Sequence, residues 1–400
     1  MCSLMTMNKR RLILKLLGML LIAVTAAACS QKKTEEQKAP ETRGAELQAD
    51  QAALNEPDKH VKEAAATAAS VITPSTKLQG SGTAGAPYFI YTESDLRAVG
   101  STFSAEAHYR LMADITLTGD NDDDPENGNW MPIGGTAGFS GTFDGNGHTI
   151  TGLRINIPED FPHFMSGGLF GGVDGVVENL GLIDVNIKVG TQGIGGIAGV
   201  NNGAIQNCYV TGSIGDMYGK GGIVGSNPAS GTIQNCFFAG AIFHRREENS
   251  AVSGGIAGVS SGTVSNCVSL AESVTEEPEN NNTVGRVVGS DQISEWNGKL
   301  VNNYGWNGTS TGQNYLYYVA VPTSENPASK DGADLSAAEL KTQTAWEKAG
   351  FSFGSGSMWI WNGAKGMPAL KNQKTVVPWP EYLENPAVAK PNPYNMGETG

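Results

Sequence analysis

Residues 221–242 read GGIVGSNPASGTIQNCFFAGAI, and the parts of this stretch occur again on either side of it. Residues 195–214 read GGIAGVNNGAIQNCYVTGSI and residues 254–268 read GGIAGVSSGTVSNCV. Aligned on asparagine, the series is Asn179, Asn207, Asn235 and Asn266, with intervals of 28, 28 and 31 residues. A period of this size marks a solenoid, in which each repeat buries its apolar side only against its neighbours. Two residues before each Asn stands Val177, Ile205, Ile233 or Val264. A uniformly β-branched column suits a strand pointing inward. The Gly-Gly-Ile stretch supplies a second strand, and Gly-rich connections are expected to supply corners with positive φ. The reading is all-β: a right-handed parallel β-helix with like residues stacked about 4.8 Å apart.

Composition agrees with this class. The chain has 53 glycines and only 17% charged residues among 400, which argues against a helical protein. A net charge of −13 would repel a phosphate polyanion, so no nucleic-acid partner is expected.

Before the repeats lies a targeting segment. Asn8-Lys9-Arg10-Arg11 is a positive n-region, LILKLLGMLLIAVTAA at 12–27 is apolar, and Ala26-Ala27-Ala28-Cys29 ends it. Small residues directly before Cys resemble a bacterial lipobox, which implies lipidation of Cys29 and residues 1–29 as a lipoprotein signal peptide. An uncleaved anchor is the alternative, since the run is nearly long enough to span a bilayer. Ser30 after the Cys implies, by resemblance to bacterial sorting rules, passage to the outer membrane. The expected localisation is the bacterial cell envelope, lipid-anchored at the outer membrane or cell surface. Residues 30–76 hold charge, Ala, Gln and Pro with almost no large apolar side chains, so they read as a disordered tether. Such a tether reaches roughly 35–40 Å. The β-helix domain is placed at 77–375, and 376–400 reads as a Pro-rich extended tail.

The repeats resemble the GLUG motif, named for a Gly-Leu-any-Gly core. It is present as Gly168-Leu169-Phe170-Gly171, Gly196-Ile197-Ala198-Gly199, Gly222-Ile223-Val224-Gly225 and Gly255-Ile256-Ala257-Gly258. The flank is also similar: Tyr88-Phe89-Ile90-Tyr91, TESDLRAV, YRLMADITL, Trp130-Met131-Pro132-Ile133-Gly134 and FSGTFDGNGHTITGL occur in that order. The resemblance implies a β-helix found in bacterial surface adhesins and in the non-catalytic N-terminal region of immunoglobulin A1 metallopeptidases. No His-Glu-any-any-His zinc motif is present, so the peptidase activity of those relatives is not carried over.

Two capping boxes are predicted, Thr92 with Asp95 and Ser336 with Glu339. The first begins a short helix covering the open first rung, and the second begins a helix running to about Lys348. After it, GFSFGSGSMWIWNGAKGMPAL reads as one or two strands with a Gly turn.

Candidate sites are few. Cys208, Cys236 and Cys267 follow the stacked asparagines, but the equivalent position in the first repeat is Leu180, so the column reads as buried thiols rather than metal ligands. Asn179, Asn207, Asn235 and Asn266 read as a ladder of side-chain amides. Asp120 to Glu126 crowds carboxylates and an amide before Trp130, which makes Asp120, Asp122 and Asp124 candidates for calcium. Pro125 stands where a calcium-binding EF-hand loop needs Gly, and a solvated acidic loop is favoured. Asp144-Gly145-Asn146-Gly147-His148 looks like a polysaccharide-cleaving site but is equally a tight-turn signal. The longer third interval carries Arg245 and Arg246 in a loop of the kind that emerges on a binding face. Trp296, Tyr304, Trp306, Tyr315, Tyr317 and Tyr318 crowd one region. They could stack on sugar rings or close the last rung, and packing is favoured. No cofactor is expected. The leading function is a non-enzymatic surface lipoprotein, adhesive or scaffold-like, whose partners are a membrane and an extracellular glycan or protein; the alternative is a polysaccharide-processing enzyme on the same scaffold.

Overall fold

The computed structural model describes residues 72–119, 128–157, 166–189, 193–215, 219–243, 252–275, 283–290, 298–312, 324–363 and 366–384. The signal peptide with Cys29, nearly all of the tether, and residues 385–400 lie outside the described residues. The described chain is a parallel β-solenoid, the architecture that the repeat predicts.

The coils from Ile194 onward carry four strands each, and like strands of successive coils pair in parallel. The short face is an eight-stranded sheet that begins with Tyr88–Ile90, His108–Leu111 and Thr142–Asp144 and continues through Val176–Glu178, Ala204–Gln206, Thr232–Gln234, Thr263–Ser265 and Lys299–Val301. The long face is a ten-stranded sheet centred on Gly181–Val189, Tyr209–Gly215, Phe237–Phe243 and Val268–Thr275. Two smaller sheets close the coil, one of them built on Ala198–Asn201, Val224–Asn227 and Ala257–Ser260.

The register puts like against like. Ile205 faces Val177 and Ile233, Ile233 faces Val264, and Val264 faces Leu300. The column continues upstream through Phe143 and Tyr109, whose rings are buried in the first coils. All but Leu300 are buried, within one continuous core.

Gly-rich connections supply some of the positive-φ residues, as at Gly134, Gly138 and Gly193, and the asparagine column supplies others. From Val176–Glu178 onward each short-face strand is followed by a left-handed residue, and that residue is asparagine: φ is 57° at Asn179, 51° at Asn207, 50° at Asn235, 54° at Asn266 and 55° at Asn302. Asparagine tolerates this region because its short amide can bond locally. The motif glycines serve another purpose. A Cβ on Gly222 would lie 2.2 Å from Gly255 O and from the Phe238 ring, and one on Gly225 would lie 2.2 Å from Ile194 N. They are glycine because neighbouring coils and the inner face of the long sheet press on them.

Both predicted capping boxes form. Thr92 opens α1 (Glu93–Arg97) and Ser336 opens α2 (Ala337–Leu340). The single helix expected to run on to Lys348 is instead two, because Thr342 caps a second start and accepts from Ala345 N at 3.4 Å, opening α3 (Gln343–Lys348). The C-terminal end of the solenoid is met by residues 324–335, where Lys330 O accepts from Val287 N and Val288 N at 2.9 Å. Arg286, 1% exposed, reaches Asp334 there at 2.6 Å. The helices α2 and α3, the antiparallel hairpin Trp359–Asn362 with Met367–Leu370, and residues 371–384 form a strap along the outside of the long face. Alternation on the long strands makes this possible: Val210 and Phe238 point into the core, while Tyr209 and Phe237 point out under the strap.

Candidate functional site

At the asparagine corner, side-chain amides bridge successive coils. Asn207 Nδ2 donates to Asn179 Oδ1 at 3.1 Å and Asn235 Nδ2 to Asn207 Oδ1 at 3.4 Å. Asn302 Nδ2 donates to Asn266 Oδ1 at 2.9 Å. The run is interrupted at the 31-residue interval, where Asn235 Oδ1 is buried without a partner. A second amide ladder, which the spacing argument missed, lies on another corner: Asn201 Nδ2 donates to Asn227 Oδ1 at 2.9 Å and Asn227 Nδ2 to Ser260 Oγ at 3.1 Å. Its signal was present in the aligned stretches GVNN, GSNP and GVSS, each with Asn or Ser in third place.

Cys208, Cys236 and Cys267 are free, fully buried, and part of the apolar core. Each thiol lies 3.2 Å from the carbonyl oxygen two residues before it. Burial pushes the outer two, Cys208 and Cys267, well above the ordinary thiol value. Cys236 lies between them in the same apolar core. Among the described residues no group of His, Cys, Asp and Glu is placed to hold a metal ion.

The segment most like a catalytic site is a corner brace. Asp144 Oδ1 accepts from Asn146 N at 2.8 Å and from Asn179 Nδ2 at 3.0 Å, and Asp144 Oδ2 accepts from Arg110 Nε at 2.9 Å. Asn146 is itself left-handed, with φ of 51°. His148 Nδ1 lies 3.0 Å from Asp114 Oδ1. Asp114 also accepts from Thr149 N at 3.1 Å and, across the strap, from Lys374 N at 2.9 Å and Thr375 N at 3.2 Å. Burial alone would raise the Asp114 carboxyl, but the bonds from Lys374, His148, Thr149 and Thr375 outweigh it and hold it below the usual range. Asn372 Nδ2 reaches Asn146 O at 2.7 Å, so the strap is fastened at this turn.

Of the aromatic cluster, Tyr304 and Trp306 are 4% and 3% exposed, in the same apolar cluster as the strap. That cluster also holds Tyr209 and Phe237, whose rings lie 4.9 Å apart at 5°, with Trp346 and Trp359 packed on Phe237, while Trp306 packs on Tyr382 at 5.6 Å. Neither Tyr304 nor Trp306 presents a ring face to solvent. Asp120, Asp122, Asp124, Arg245, Arg246, Trp296, Tyr315, Tyr317 and Tyr318 lie outside the described residues. No helix among the described residues is long and apolar enough to cross a membrane.

Known proteins similar to the chain share parts of it. No family model matches it. Halomucin of Haloquadratum walsbyi is 33% identical over 156 residues, which cover 38% of this chain and 2% of that protein. A protein of Evansella cellulosilytica, provisionally described as a Gly-rich membrane protein, is 36% identical over 136 residues, 33% of this chain and 15% of the other. The chain thus spans a small part of the length of these curated relatives. Among solved structures, one from Bacteroides ovatus, provisionally described as an immunoglobulin A1 protease, superposes with a TM-score of 0.52 at 21% identity, over 73% of this chain and 94% of that one. At that identity the likeness is one of fold.

Proposed function

We propose that the chain is a non-catalytic, GLUG-type β-helix module, lipid-anchored through Cys29 in the bacterial cell envelope, that presents a rigid solenoid to an extracellular glycan or protein. The observation that carries the reading is the engagement of Asp144: both of its carboxylate oxygens accept bonds from side chains or backbone that hold a corner. A carboxylate poised for general acid or base work would instead face a cleft within reach of a substrate proton. The matches support a module as well, since segments of a third or so of this chain recur inside much longer proteins.

The test sets this reading against a polysaccharide-processing enzyme. The chain is incubated with uronate-containing and neutral polysaccharides, and reducing ends and unsaturated products are assayed. The expected result is no turnover. Product formation that disappears in Asp144→Asn while the fold is retained would replace the binding reading with the enzymatic one.

A further inference from the structure

The hairpin of the strap has one closed edge and one open edge. It pairs Trp359–Asn362 with Met367–Leu370 antiparallel, and Trp361 stands opposite Pro368. Proline has no N–H, so that pair makes no ladder bond, and the ladder runs through Ile360 with Ala369 and Asn362 with Met367. The backbone groups of Pro368 and Leu370 therefore point away from the ladder on one side, and those of Trp359 and Trp361 on the other. The first side is closed. Pro368 offers no donor, and Gln373 takes up Leu370: Leu370 N donates to Gln373 Oε1 at 3.1 Å, and Gln373 N donates to Leu370 O at 3.1 Å. The second side is open. Trp359 N donates to Ser357 Oγ at 3.2 Å, but among the described residues nothing bonds to Trp361 N, Trp361 O or Trp359 O.

The open edge is also apolar. Ile360 is 42% exposed between Trp359, which is buried against Tyr209 of the long face, and Trp361, which packs on Phe353 at 5.7 Å. No residue of Trp359–Asn362 carries a charge. Folded proteins shield a strand edge with charge, proline, a bulge or a covering segment. This hairpin shields one edge in that way and leaves the other bare. A second copy of the same strand complements it. Laid antiparallel about a two-fold axis at Ile360, the two strands set Trp359 of each copy opposite Trp361 of the other, and each such pair exchanges N–H···O=C bonds through the open groups, with Trp359 N released from Ser357. Ile360 then meets its own counterpart in a close, non-bonded pair, apolar on apolar and without like-charge repulsion. We infer that Trp359–Asn362 is a self-pairing edge, through which two copies of the chain join their hairpins into a four-stranded antiparallel sheet. The closed Pro368 edge ends the contact at two copies and keeps it from propagating into a fibre. A pairing this short makes a weak, concentration-dependent dimer.

The experiment is sedimentation equilibrium on the full chain in detergent, with micelles in excess over protein, across a concentration series. The native chain should pass from monomer to dimer with no larger species. Ile360→Lys sets two ammonium groups against each other at the axis and should raise the dissociation constant about tenfold or more. Its melting temperature should not change, because the side chain it replaces is exposed. Ile360→Glu should behave likewise, and an equal mixture of the two variants should recover the dimer. A disulfide trap gives a second readout. In Ile360→Cys, diamide takes one hydrogen from each of the two facing thiols as their sulfurs bond, and the covalent dimer should form faster than in Val376→Cys, whose site is more exposed, at 52%, but lies outside the strand. Equal association of the native chain and Ile360→Lys, no recovery in the mixture, or equally fast cross-linking of Val376→Cys would overturn the assignment. So would a native chain that stays monomeric throughout, which would leave the edge to an extended peptide of another protein.

Discussion

At the scale of single residues, the corner asparagines and the thiols beside them separate two physical roles. Asn207 holds a left-handed backbone and bridges two coils with its amide. Asn207→Gly removes only the amide, a loss of about 0.5–1.5 kcal/mol per hydrogen bond. Asn207→Ala removes the amide and also forces a Cβ into left-handed backbone, at a further cost of about 1–2 kcal/mol. Urea unfolding should therefore rank Ala below Gly, and equal losses would mean that the ladder alone matters. Cys236 stands between Cys208 and Cys267 as a packed hydrophobe. Cys236→Val should be tolerated, while Cys236→Asp buries a carboxylate with no partner and should abolish cooperative melting. Ile233→Ala should cost roughly 2–5 kcal/mol, because Ile205 and Val264 are held in register above and below it and cannot collapse into the void. Thermal unfolding with thiol labelling of the native chain reads all three; rapid labelling of the native thiols would contradict their burial.

At the scale of elements, the strap is the feature whose attachment can be tested by pH. Its far end is bound to Asp114 through Lys374 N and Thr375 N, some 260 residues away in sequence. Asp114 has an ordinary value of 3.8 and is held lower in the folded chain. A carboxyl depressed by folding contributes stability that is present above the unfolded value and is lost as pH falls through the lower folded value. Stability should thus be flat at neutral pH in this respect and decline below about pH 4. Asp114→Asn should reduce that part of the acid decline and, at neutral pH, weaken hydrogen-exchange protection of residues 370–376 more than that of the solenoid. Unchanged protection there would show that the aromatic stack alone retains the strap, since Tyr209, Phe237 and Trp359 remain in contact.

At the scale of the whole molecule, the proposal separates anchoring from folding. Each buried methylene of an acyl chain contributes about 0.8 kcal/mol, so lipid on Cys29 should dominate membrane attachment. Cys29→Ala should leave the chain unlipidated and released to the soluble fraction, with the melting of the solenoid unchanged. Membrane retention of the substituted chain would instead mean that the apolar run at 12–27 stays as a span.

The sequence by itself determined the solenoid, because a solenoid is a one-dimensional object whose period, inward column and corner residues are written at fixed intervals. The order of Val177, Ile205, Ile233 and Val264, and the Thr92 and Ser336 capping boxes, needed no tertiary knowledge. Which glycines were crowded was not legible, since close approach depends on the neighbouring coil and not on the local string. The path of the chain after residue 336 was decided only in three dimensions. Nothing local says that Tyr209 and Phe237 await Trp346 and Trp359, for these groups lie more than a hundred residues apart and meet only because the long face turns its outer side chains toward the returning strap. The same holds for Arg97 and Trp130, which meet in a cation–π contact although periodicity does not relate a helix end to that loop.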